Sequence, residues 1–162
     1  MTLISDSHLH HICLAIRAED RYAPFDRFFS AWWNACRRHN AMAHPAWAAP
    51  GARISLLPEL GDFAFTSSAA ARTVIGIATD ALVTELAVPA GALRDILFLL
   101  EAPDTEQVGA TLRRLYLPGL ITAAEQDQLI GADLRGLMPE GWNPAHSPYA
   151  RLERAGITIQ EP

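Results

Sequence analysis

Lysine is absent from this 162-residue chain. All 13 basic residues are arginine, set against 18 acidic ones, for a formal charge of -5 at pH 7. Such a balance lacks the positive field that broad nucleic-acid binding, or adhesion to an anionic membrane, requires. The missing lysine, beside abundant alanine, fits the codon usage of a GC-rich genome of the bacterial kind better than selection for forked guanidinium contacts. Cysteine is scarce as well. Cys13 and Cys36 are the two, and both fall on expected apolar helical faces, where a thiol serves as a small hydrophobe. No uncharged apolar run reaches the ~20 residues that a membrane span needs. The opening stretch from Met1 to Asp6 has neither a basic n-region nor a long apolar h-region, so no secretory signal is expected. A cytoplasmic protein with reduced thiols is the expected setting. There is no glycine-rich phosphate loop, no Gly-x-Ser-x-Gly nucleophile elbow and no paired-cysteine zinc spacing.

Half of the residues are hydrophobic, and 10 Gly with 11 Pro are too few for a disordered chain. One domain over residues 1–162 is expected, burying roughly 70% of its unfolded surface. Apolar spacing supplies the helices. Leu9, Ile12, Cys13 and Ile16 share one face of a helix over 6–18, capped by Asp6 or Ser7. Phe25, Phe28, Phe29, Trp32 and Cys36 stripe a second helix over 24–41, widened by Trp33 and started by Pro24.

Residues 43–65, broken by Pro45, Pro50, Gly51, Pro58 and Gly61, read as a long ordered loop, with a short strand expected at Arg53–Leu57. Residues 66–87 pull both ways. Ser67, Ser68 and Ala69–Ala71 favour a helix, whereas Thr73, Val74, Ile75, Ile77 and Thr79 favour strand or hairpin. The length and the lack of an Asn-Gly or Asp-Gly turn favour a buried helix.

Three helices then follow. Pro89 opens one over 89–101. Asp104, with Gln107 in capping-box position, opens the next, which Pro118-Gly119 closes. Thr122 and Glu125 form a full box before a helix that carries Ile130, Leu134, Leu137 and Met138 up to Pro139. The tail 139–162 is mostly irregular, with a small helix started by Ser147 and Pro148 and stopped by Gly156, and an edge strand or a draped end at Ile157–Gln160. The expected fold is mainly α, an orthogonal bundle of five to six helices. The alternative is α+β, with a small sheet drawn from residues 53–88.

Three constellations bear on function. Asp6-Ser7-His8-Leu9-His10 resembles the first metal-binding motif of amidohydrolase and PHP-type phosphoesterase barrels. That resemblance implies two histidines leaving a strand on one side to grip a divalent metal such as Zn, whose bound water titrates near ~7. Those barrels take ~250 residues and alternate β and α, whereas this chain is shorter and shows no such alternation. In a helix, His8 and His11 become the same-face pair, with His39, His44 or His146 as further ligands brought in by the fold. The second constellation is Phe28, Trp32, Trp33 and Arg37, a candidate ligand- or partner-binding surface on a helix whose aromatics otherwise fill a core. The third is arginine pairs, Arg37-Arg38 and Arg113-Arg114, which read as helix-end charges.

The leading expectation is a non-enzymatic cytoplasmic protein of the interaction, adaptor or regulatory kind. It would need no cofactor, and its partner would be another protein or a second copy of itself. The alternatives are a small metal-dependent hydrolase using Asp6, His8 and His10, and a helical domain that binds a small molecule.

Overall fold

The computed structural model describes residues 3–40 and 63–160. The chain begins with two helices that pack side by side, α1 (Leu3–Arg17) and α2 (Phe25–Asn40). A tight turn joins them. Glu19 enters the left-handed region (φ 54°), so its N–H reaches the Ile16 carbonyl at 3.0 Å and that of Asp20 reaches Ala15 at 2.9 Å. Those bonds satisfy carbonyls that the helix end would otherwise leave bare. Further on, α4 (Ala90–Phe98) and α5 (Thr105–Leu115) form a second pair. The four helices share one core, with Ile12 and Ile16 from α1, Phe25, Phe29 and Trp32 from α2, Leu93 and Leu97 from α4, and Val108 and Leu112 from α5. Gly109 lets α1 come close to α5, since a Cβ there would stand 3.1 Å from a Leu9 methyl.

The rest is built on a mixed sheet. β1 (Phe65–Ser67) leads into α3 (Ser68–Val74), and then come β2 (Leu82–Leu86), β3 (Pro118–Thr122), α6 (Ala123–Gly131), α7 (Ala150–Arg154) and β4 (Ile159–Gln160). The strand order is β2-β3-β1-β4. β3 runs antiparallel to β2, with Val83 opposite Ile121, and parallel to β1, with Phe65 opposite Gly119. β4 closes the far edge antiparallel to β1.

Successive strand residues point to opposite faces, and the two faces carry different cores. Leu120 packs with Ala70 and Val74 of α3. Ile121 packs with Phe65, Leu129 of α6, Leu134 and Leu152 of α7. Gly119 is required at its place, because a methyl group there would fall inside the Phe65 ring.

The sheet overturns the expectation of a mainly α bundle. Seven helices and a four-stranded mixed sheet occur among the described residues. The α+β alternative is compatible with them, although only β1 and β2 fall within 53–88, and β3 and β4 lie beyond it. The buried helix expected over 66–87 is replaced by the end of β1, the short α3 and β2. α3 stops because Gly76 (φ 77°) turns the chain, its N–H donating to Thr73 and that of Ile77 to Arg72; the β-branched residues beyond are then free to extend.

Pro118-Gly119 does not merely end a helix. It begins the central strand β3, where Pro118 occupies the first position, the place in a strand that tolerates a missing N–H. The helix expected to run from 123 to Met138 ends at Gly131. Asp133 adopts φ 58°, the Asp133 N–H bonds to Ile130, and the Leu134 N–H reaches Leu129 at 2.8 Å. Leu134 is thereby the hydrophobic partner of a helix-ending motif, and Met138 packs irregularly against the helical core. Most of the loop expected over 43–65, including the Arg53–Leu57 strand, lies outside the described residues.

Candidate functional site

The histidine run lies on a helix, not at the end of a strand. His8 and His10 stand two residues apart on α1, so their side chains diverge by ~200° around its axis. His8 is half-buried, while His10 and His11 are exposed. The His11 Nδ1 lies 2.7 Å from the Ser7 carbonyl. A carbonyl only accepts, so Nδ1 carries the proton in this contact. The His11 ring packs against Phe28, centroids 6.3 Å apart. Asp6 is half-buried one turn earlier. Among the described residues no three His, Cys, Asp or Glu side chains gather into a metal-binding group. His146 sits in the tail with Asn143 as its neighbour; His44, and the His39 side chain, lie outside the described part.

The aromatic residues of α2 divide. Trp32 is 1% exposed and belongs to the helical core. Phe28 and Trp33 are half-buried at its margin, and the Trp33 ring meets Tyr116 edge-on, 6.0 Å between centroids. Arg37 lies in the last part of α2, and its side chain is outside the described set. Burial raises the pKa of both thiols above the ordinary cysteine value. For Cys13 nearby Arg17 opposes the rise, and for Cys36 it is Arg113. Held protonated, neither is a prepared nucleophile.

The sheet suggests a second place to look. β1 and β3 are adjacent and parallel, and the helices that follow them, α3 and α6, depart to opposite faces. In open α/β sheets, such a point at the carboxyl ends of the strands is where ligands bind. Here Glu125 fills it. Glu125 Oε2 accepts from the Ser67 hydroxyl at 2.6 Å, the Thr122 N–H at 2.8 Å and the Thr122 hydroxyl at 3.1 Å. Ser67 and Thr122 are themselves the N-caps of α3 and α6, accepting from Ala70 at 3.0 Å and Glu125 at 3.2 Å. Two helix starts, each the positive end of a dipole, are thus served by the protein's own carboxylate. The capping box Thr122–Glu125 was readable from spacing; that Ser67, 58 residues earlier, shares its carboxylate was not.

The open surface is at one end of the helical layer. There the α1–α2 turn (residues 18–24) lies beside the α4–α5 turn (99–104), leaving a groove lined by Ile16, Arg17, Glu19, Arg21, Phe98, Leu100, Ala102 and Pro103. Arg17 ties the turns together, its Nη2 donating to the Pro103 carbonyl at 3.0 Å. The Arg21 guanidinium lies 4.6 Å above the centre of the Phe98 ring, with one nitrogen 3.6 Å from Asp95. Arg21 therefore serves as part of the groove wall as well as a surface charge.

Two large apolar side chains project from these same turns into solvent, Tyr22 at 98% exposure and Leu99 at 82%. They are more exposed than any other large hydrophobic among the described residues. Single exposed apolar residues are ordinary on a protein surface; here the two most exposed ones among the described residues stand on the same two turns that supply the groove. No sequence motif marks this site, whose exposed residues Tyr22 and Leu99 stand in the links between helices.

Known proteins add no functional information, since no protein-family model, curated protein or solved structure matches the chain. Among the described residues no helix is long and apolar enough to cross a membrane.

Proposed function

We propose that this chain is a non-enzymatic protein-interaction module of the adaptor or regulatory kind, acting in the cytoplasm, and that it meets its partner through the paired-turn end of the helical layer. The observation that carries the reading is the groove between the two turns, together with the exposure of Leu99 and Tyr22 on those same turns. Fixed walls and protruding apolar side chains suit a protein surface, where a few anchors in pockets dominate the binding energy. Thiol forms of Cys13 and Cys36 suit a reducing compartment. The hydrolase reading gains no geometry, because His8 and His10 diverge around α1 and no three metal-ligating side chains gather among the described residues. The crevice at the strand ends is satisfied internally, which favours a contact surface over a small-molecule site.

A photo-crosslinking amino acid placed at Leu99 tests this in living cells, with Ile130, exposed on α6, as the control position. Discrete protein adducts are expected from position 99 and not from 130. Equal labelling at both positions, or none at 99, would remove the surface from consideration.

A further inference from the structure

We draw no further inference here: the strongest candidate, the groove between the α1–α2 and α4–α5 turns with Tyr22 and Leu99 exposed on those turns, belongs to the site already described, and nothing in the structure shows what covers it.

Discussion

The guanidinium of Arg151 on α7 donates to the carboxylate of Glu85 on β2 at 2.7 Å, across 66 residues of chain. Arg151 is fully buried, and each of its nitrogens is engaged. Nε donates to the Ala87 carbonyl at 2.9 Å, Nη1 to Leu134 at 2.8 Å and Arg135 at 3.0 Å, and Nη2 also to Leu86. One planar fork thus joins α7, the loop after α6 and the end of β2. Three of those carbonyls belong to irregular backbone and the fourth to Leu86, the last residue of the edge strand β2, and their bonds to the guanidinium are why a charged side chain is tolerated in the interior. The contact also occupies the outer side of β2 at Leu86, so part of an exposed sheet edge is closed.

Arg151→Ala is expected to destabilise the protein by about 3–5 kcal/mol, the usual cost of stranding one partner of a buried pair. Arg151→Lys keeps the charge but cannot span the four carbonyls, and should fall between the two. Urea denaturation of the three proteins measures this. A lysine variant as stable as wild type would show that charge alone matters and that the fork geometry is dispensable.

The second prediction concerns the carboxylate shared by two helix starts. Glu125→Ala removes the acceptor for three donors at once and should cost about 2–4 kcal/mol, above the typical loss for one hydrogen bond or one cap. Ser67→Ala should cost about 1–2 kcal/mol, since it deletes the cap of α3 and one bond to Glu125. Because both changes break the same contact, the double variant should lose less than the sum of the two. Strict additivity in a denaturant series would mean that the Ser67–Glu125 bond contributes nothing.

Much of the helical half was legible because its signals are local. The Asp104–Gln107 and Thr122–Glu125 boxes are both formed, and the apolar faces of α1 and α2 enter the core as their spacing implies. The central strand β3 was not legible, because it is five residues beginning Pro-Gly and its identity rests on a partner, β1, that lies some 50 positions away in sequence, whereas the edge strand β4 falls at the expected Ile157–Gln160. The end of α6 was hidden for a similar reason. Leu134 continues an apolar helical pattern, but its burial comes from the sheet-side core after the chain has turned at Asp133. As for the candidate surface, spacing drew attention to Trp32 and Phe28 on α2, whereas the exposed groove is made of two turns that only the tertiary fold brings side by side.

The third prediction is at the pairing of Phe65 with Gly119. A side chain at 119 competes for the space the ring occupies on the sheet. Gly119→Ala should therefore destabilise by about 1–3 kcal/mol, the range for overpacking a core. Phe65→Leu, made in the Gly119→Ala background, vacates part of the ring's place and should cost less there than it does in wild type. A thermodynamic cycle from four melting curves reads the difference; equal costs of Phe65→Leu in both backgrounds would deny the steric coupling.

The last prediction follows from Tyr116, which caps the end of α5 and lies against the helical core. Its hydroxyl is 3.2 Å from Ser30 Oγ, and Ser30 uses its own proton to donate to the Asp26 carbonyl at 2.7 Å. Tyr116 is therefore the donor in the pair. Burial pushes its pKa above the usual tyrosine value and the Asp26 charge adds to it; Ser30 opposes the rise only by turning its hydroxyl from the Asp26 carbonyl to donate to the phenolate. The fold thus binds the phenolic proton more tightly than the unfolded chain does. The resulting stabilisation is complete below the unfolded tyrosine value of ~10 and is lost as pH rises through the higher folded value. Tyr116→Phe should lose about 1 kcal/mol near neutrality with the hydrogen bond. Above pH ~10, in the range where the free phenol ionises, it should lose stability less steeply than wild type. Parallel wild-type and variant curves of unfolding free energy between pH 7 and 11 would show that the Tyr116 proton has no part in the alkaline limb.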